Sequence, residues 1–235
     1  MSKYYKGKQA HHYNTRWQRF NTRTLTETLA MIDVTALRSI HERQGRLPRV
    51  LDVACGTGLL LKQLLAQVPG IEAYGLDASA DMLAQAQAAL QDQPHVHLEC
   101  MQIGTGMASN LSYAHENFDL ITCTNALHDM PEAVALLARL GKLLAPGGQL
   151  VVEDFAPREP RLFWIAFEWF LQRIEGNSVH AYTLNEALSL CEQAGLHIAR
   201  EKGFIIDWLW HGWVLSVYRT TPITISSQSD EPSNA

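Results

Sequence analysis

The sequence predicts an α/β fold: a doubly wound, mostly parallel sheet with helices on both faces. Two observations carry that expectation. Between residues 50 and 154, five short apolar runs are joined by helix-length segments, and such alternation builds parallel strands connected by crossover helices. Past residue 195, two further apolar runs follow one another across a short turn with no helix between them. The last strand therefore returns antiparallel, and the sheet reaches seven strands.

Residues 1–45 are expected to form an N-terminal helical cap. Ser2 to Phe20 interleaves Tyr4, Tyr5, Tyr13, Trp17 and Phe20 with Lys, His and Arg. From Thr24 to Arg43, Leu25, Leu29, Ile32, Leu37 and Ile40 recur at near-helical spacing. That predicts one helix, ended by Gly45 and Pro48. The main domain spans 46–220. Its strands are predicted at Val50–Ala54, Ile71–Leu76, Val96–Glu99, Phe118–Thr124 and Gln149–Asp154, with helices at Leu59–Gln67, Ala80–Leu90 and Glu132–Leu144. Ala145 to Gln149 reads as a helix stop and a tight turn into the fifth strand.

After Phe155 the rhythm breaks. Arg161–Glu175 is an aromatic-rich helical stretch, and residues 156–182 form a lid-like insertion outside the repeating pattern. Thr183–Ala194 predicts a helix with Thr183 as N-cap and Glu186 completing a capping box. His197–Ile206 and Trp213–Tyr218 are the last two strands, joined across Asp207–Gly212. Trp208, Trp210 and Trp213 suit strand packing or an oligomer contact. Residues 221–235 are polar and predict a disordered tail.

The bulk composition bounds the function. A chain of 235 residues with 47% hydrophobic and 18% charged residues suits one globular domain, or a domain with a small lid. A net charge of −5 argues against a nucleic-acid partner, which calls for a basic face. The four cysteines (Cys55, Cys100, Cys123, Cys191) show no CxxC pair and no zinc spacing, so reduced thiols and a cytoplasmic location are expected. The N-terminal stretch lacks the apolar run of a signal peptide, and no segment has the roughly 18 apolar residues of a transmembrane segment.

The most informative stretch is Val50 to Leu60, where an apolar strand carries Asp52 and then runs into Gly56 and Gly58. Glycine lets a ligand approach the backbone, and a loop opening a helix presents N–H groups to it. A dinucleotide fingerprint needs a third glycine, and that position holds Leu61. A Walker loop needs Lys followed by Ser or Thr, and Leu59-Leu60-Leu61 stands there instead. What remains is an acid before the bend, Asp52, and a second acid ending the next strand, Asp77. That pair suits a ligand with a cationic amino acid part and a ribose, whose two hydroxyls Asp77 can bind. Asp77 as a mere helix N-cap is the competing reading. Cys55 suits packing beside the loop better than nucleophilic work, and His95 with His97 lacks a third metal ligand.

These residues resemble the cofactor-binding half of the class I S-adenosylmethionine-dependent methyltransferases. The likeness runs from LDVACGTG at 51–58 and GLDAS at 75–79 through FDLITCTNALHDMPE at 118–132 and LLAPGGQLVVEDF at 143–155. Residues 182–204 resemble the family's last helix and strand. The resemblance implies a Rossmann-like fold and S-adenosylmethionine as cofactor, with S-adenosylhomocysteine as product. It places Asp52, Ala54, Cys55, Gly56 and Gly58 around the methionine part, with Ala54 where many relatives have a glycine. Asp77 falls on the ribose, Ala78 and Met82 flank the adenine, Met101 packs on it, and Gln102 offers it a hydrogen bond. Asn125 falls near the sulfonium. Tyr13 and Arg16, with Tyr5 as another option, would close over the cofactor from the N-terminal segment, Arg16 on its carboxylate.

Methyl transfer from a sulfonium is an in-line displacement, so alignment and exclusion of water matter most. An acceptor O–H or N–H can still use a general base. His128, just past the fourth strand, is the leading candidate, with His11 and His12 behind it. The expected protein is a metal-free methyltransferase acting on an O or N atom, less readily C, of a small, partly apolar molecule. It is read as a monomer or a homodimer. An NAD(P)-dependent oxidoreductase and an inactive methyltransferase-like binding protein are the alternatives.

Overall fold

Strand β1 (Arg49–Val53) is buried from Val50 onward, as a strand covered on both faces must be. The computed structural model describes residues 7, 12–101, 118–156, 180–208 and 210–219. The expected helix Arg161–Glu175, most of the stretch 156–182, the tail 221–235, and Tyr4, Tyr5, His11 and Gln102 lie outside the described residues.

Beside β1 lie β2 (Glu72–Asp77) and β4 (Phe118–Thr124), both parallel to it. β3 (Val96–Cys100), β5 (Leu144–Ala156), β6 (Leu196–Ile205) and β7 (His211–Arg219) complete a seven-stranded sheet in the order β3-β2-β1-β4-β5-β7-β6. β7 lies between β5 and β6 and runs antiparallel to both. The doubly wound sheet with an antiparallel last strand is therefore what the sequence predicted.

Residue alternation sends each strand's side chains to two cores. On one face α6 (Ala133–Leu143) and α7 (Leu184–Gln193) press Leu136, Leu137, Leu140 and Cys191 against Leu51, Val53, Val152 and Trp213. Trp213 is wholly buried, and its indole N–H donates to the Tyr182 carbonyl at 2.8 Å. On the other face lie α2 (Gln18–Met31), α3 (Val34–Gln44), α4 (Leu59–Gln67) and α5 (Ala80–Leu90), preceded by the single turn α1 (Tyr13–Arg16). Met31, Leu37 and Ile40 share that core with Val50, Leu64, Leu120 and Val214, so α2 and α3 contribute to the same core as the main sheet.

Two boundaries differ from expectation. The helix anticipated over Thr24–Arg43 is two helices, because Ile32 is extended and the Asp33 carboxylate accepts the Ala36 N–H at 2.8 Å, capping α3 afresh. The fifth strand begins at Leu144, five residues before Gln149. Leu144 pairs with Phe118 and Gln149 with Leu120, and the residues between them bulge out with Gly147 at φ +77°. The capping box at Thr183 and Glu186 is present as read.

Gly58 ties this packing to the bend after β1. It sits at φ +74°, and a Cβ there would lie 2.9 Å from Leu90 Cδ1 and 3.2 Å from Ala86 Cβ. Gly58→Ala should lower unfolding stability by about 1–3 kcal/mol from backbone strain and overpacking, read as the urea midpoint. Ala54→Gly, at φ +60°, should leave that midpoint unchanged or higher.

Candidate functional site

The strand order reverses at β1, with β2 on one side and β4 on the other. The chains leaving β1 and β4 part company there, and a crevice opens at their carboxyl ends. Among the described residues only Ala54 and Asn125 are non-glycines with positive φ, at +60° and +49°. One ends β1 and the other ends β4. Strained backbone of this kind gathers at functional sites, and the left-handed angle at Ala54 explains why a glycine would be at ease there.

The crevice has a cavity volume of about 190 Å³ and is open to solvent. Tyr13, Asp52, Ala54, Cys55, Gly56, Asp77, Ala78, Met82 and Asn125, all anticipated from sequence, line it together. The Asp77 carboxylate organises this wall. Oδ2 accepts the Gly56 N–H and Oδ1 the Ser79 N–H, each at 2.8 Å. Helix α5 is capped by Ser79, whose hydroxyl accepts the Met82 N–H at 3.2 Å, so Asp77 is not its N-cap. Burial raises the Asp77 carboxyl, against the lowering by the backbone N–H groups of Ser79, Gly56 and Ala78.

Asp52 is 1% exposed, and its Oδ1 accepts the Thr122 hydroxyl at 2.7 Å. Burial pushes its carboxyl up to about 7, opposed by the Thr122 hydrogen bond and aided by the Asp77 charge. Cys55 is buried between these acids, and burial drives its thiol upward, which suits packing and not nucleophilic chemistry.

Sequence reasoning missed the polar face of α2. Asn21, Thr24 and Leu25 line the crevice opposite the bend, and Asn125 Nδ2 donates to Thr24 Oγ1 at 3.3 Å. Among the described residues, buried Asn21 Nδ2 and Asn125 Oδ1 find no hydrogen-bond partner. An open donor and an open acceptor in one crevice suit the carboxylate and ammonium of an amino acid group, and the Asp77 carboxylate suits ribose hydroxyls. These residues therefore fit S-adenosylmethionine. The signal was available in Asn21, Thr24 and Thr28, which share one helical face, but a polar helix face reads by default as solvated. The N-terminal segment is tied to the opposite wall, because the Thr57 hydroxyl donates to Asn14 Oδ1 at 2.8 Å and the Gly7 N–H to Asp81 Oδ2 at 2.7 Å.

Some anticipated residues do not join the wall. Arg16 is exposed, its guanidinium 5.8 Å from the centre of the Trp17 ring. Met101 packs against the hydrophobic core on the opposite face of the sheet from Asp52, and Gly58 serves as N-cap of α4. His12 is exposed, and His97 stacks on Tyr74 with ring centres 4.8 Å apart. His128 stands at the flank of the crevice, which Asp129 and Met130 line. Its Nδ1 lies 2.9 and 3.0 Å from the two oxygens of Asp154, a wholly buried carboxylate that sequence reasoning did not single out.

Comparison with known proteins agrees with this geometry. A family model described as a methyltransferase domain matches residues 51–150. Demethylmenaquinone methyltransferase of Deinococcus radiodurans is 34% identical over 127 residues, 54% of this chain and 51% of that protein. Trans-aconitate 2-methyltransferase of the same organism is 40% identical over 105 residues, 45% of this chain and 37% of that protein. This chain thus spans about half the length, or less, of these two relatives. A crystal structure of an S-adenosylmethionine-dependent methyltransferase from Mesorhizobium loti superposes with a TM-score of 0.58 at 20% identity, over 79% of this chain and 100% of that one. That last likeness is one of fold.

The buried Asp52 makes a pH dependence. The unfolded chain ionises it near 3.8, while the folded chain holds the proton up to about 7. Asp52 therefore lowers folded-state stability as pH rises from about 4 to 7. Urea unfolding of the ligand-free protein should show that Asp52→Asn lessens the loss of stability across this window. An unchanged slope would remove Asp52 as its source.

Proposed function

We propose that this chain, which carries a class I S-adenosylmethionine-dependent methyltransferase domain, moves a methyl group onto an O or N atom, less readily C, of a small, partly apolar acceptor. The observation that carries the proposal is the Asp77 carboxylate, held by Gly56 and Ser79 in the same crevice as the polar side chains of Asn21 and Asn125. When bound, S-adenosylmethionine supplies an electrophilic methyl carbon on a sulfonium.

Every other contribution belongs to the chain. Asp77 binds the ribose diol through charge-assisted hydrogen bonds. Asn21 takes the place anticipated for Arg16 at the cofactor carboxylate, and Asn125 Oδ1 accepts from the ammonium. Asp52, when ionised, favours a cation in the crevice. Gly56, at φ +55°, takes a backbone conformation that other residues rarely adopt and carries no side chain to keep a ligand from the loop. Tyr13 and the Asn21, Thr24 and Leu25 face of α2 line the crevice and shield one side of a bound cofactor from water, which strengthens these interactions. His128 takes a proton from the acceptor.

The oxidoreductase reading is disfavoured by Leu61. It stands where a dinucleotide fold needs its third glycine, is wholly buried, and belongs to the core between helix and sheet. All four cysteines are free thiols, in keeping with a reducing, cytoplasmic setting. Among the described residues no helix is long and apolar enough to cross a membrane.

Thermal shift should show stabilisation by S-adenosylhomocysteine and none by NAD. A shift with NAD alone would overturn the proposal. Asp77→Ala should weaken S-adenosylhomocysteine binding by about 1.5–3 kcal/mol in calorimetry, the magnitude of a hydrogen bond to a charged group. Unchanged affinity would remove Asp77 from the ribose contact.

A further inference from the structure

The His128 ring is fixed from several sides. Asp154 is 0% exposed, and its Oδ2 accepts the His128 backbone N–H at 2.8 Å while its Oδ1 accepts the Phe155 N–H at 2.8 Å. The same two oxygens lie 2.9 and 3.0 Å from Nδ1. The Phe155 ring packs against the imidazole with centres 4.4 Å apart, and the His128 carbonyl accepts the His180 N–H at 3.0 Å. A carboxylate without a proton can only accept, so Nδ1 must carry the hydrogen, and Nε2 is then the nitrogen with the basic lone pair. Nε2 lies 3.8 Å from Asp129 Oδ2. Asp154 and Asp129 thus flank the ring on both sides, and both stabilise the imidazolium formed when Nε2 takes a proton.

Two other observations bear on the acceptor. Among the described residues the crevice wall carries Asp52, Asp77 and Asp129 and no Lys, Arg or His. Among those residues a substrate with several carboxylates would meet like charge and no cation. Next to His128, Phe155 meets Trp210 edge-on with centres 5.2 Å apart, and Trp210 meets Phe20 at 6.1 Å. This aromatic string runs from α2 to the end of β5, beside the imidazole.

We propose that Asp154 is the positioning residue that holds His128 as a general base, and that the acceptor is an uncharged hydroxyl on a planar ring seated against Phe155 and Trp210. The inference rests on the methyl transfer proposed above and names its acceptor class. His128 Nε2 takes the hydroxyl proton, an oxygen lone pair forms the new C–O bond, and the C–S bonding pair returns to sulfur. The products are a methyl ether, a neutral thioether and a protonated His128, so the positive charge passes from sulfur to imidazole. A carboxylate acceptor is already ionised and would leave the pair without a task.

Two measurements decide the matter. Nitrogen-15 NMR of the ligand-free protein should show His128 with its proton on Nδ1, and Asp154→Asn should shift the population toward the Nε2–H form. A wild-type ring protonated on Nε2 overturns the proposal, whatever any acceptor does. Activity is read with dihydroxynaphthalenes, with aliphatic amines and with trans-aconitate as probes. The hydroxylated rings should be methylated, and Asp154→Asn should lower kcat about 10²–10⁴-fold, as loss of a correctly oriented base does. Affinity for S-adenosylhomocysteine should stay within about threefold, since Asp154 is not on the cofactor wall. The acidic limb of the kcat/KM profile should change with the variant, which a merely structural role would not produce. Should Asp154→Asn fail to fold, His128→Gln takes its place and should show the same loss of kcat with cofactor affinity kept. Undiminished turnover, or turnover of trans-aconitate alone, sinks the inference. Failure of the wild type to bind S-adenosylhomocysteine strikes the proposed function instead.

Discussion

The carboxylate of Asp77 joins the two strands on which the crevice depends. It closes β2, yet its two oxygens hold the Gly56 N–H of the bend after β1 and the Ser79 N–H that opens α5. The backbone adds a third tie, from the Cys55 N–H to the Leu76 carbonyl at 2.9 Å. The bend could not take its left-handed turns at Ala54, Gly56 and Gly58 without partners for the N–H groups it turns away from the sheet. Asp77 supplies the one for Gly56, and the Leu76 and Cys55 carbonyls supply those for Cys55 and Gly58. The Asp77 oxygens keep further lone pairs toward the crevice, so a structural brace can also serve as a binding group.

The crevice gathers negative charge for a reason that follows from the fold. Parallel strands end together, and acids near the ends of β1, β2 and β5 come within one small volume. Asp52 and Glu153 are wholly buried, and burial raises both carboxyls, Glu153 further raised by neighbouring Asp154. These groups favour the neutral form until a cation or a donor arrives. The Asp154 oxygens, surrounded by the His128 and Phe155 N–H groups and the imidazole, have such donors already. Adjacent residues on β5 point to opposite faces. Glu153 therefore faces the side of α2, and Asp154 lies beside His128.

Much of the fold was legible. The alternation of apolar runs placed β1, β2, β4 and β5, because a buried parallel strand must be apolar on both faces. The capping box at Thr183 was legible because it is made within four residues. The break at Asp33 was missed, although an N-cap signal stood there, because the apolar spacing continued across it. The bulge before Gln149 depends on pairing with Phe118 and Leu120, which no local pattern reveals.

At the site the division is similar. Residues 52–58 and 77–82 announced themselves by residue type and spacing, since glycines at a bend and an acid one β-α-β unit later have few other uses. Asn21 and Asp154 did not. Asn21 is a polar residue on a helix, 104 positions from Asn125 in the chain (125 − 21), and only the packing of α2 onto the sheet brings both into one crevice. Asp154 reads as the last polar residue of a strand until β5 and the turn after β4 set it 2.9 Å from the His128 ring. Sequence by itself determined strand order within each βαβ unit and the bend, because those rest on local backbone chemistry and hydrophobic periodicity. Tertiary structure alone decided which distant polar side chains share buried space, because that depends on how whole elements pack.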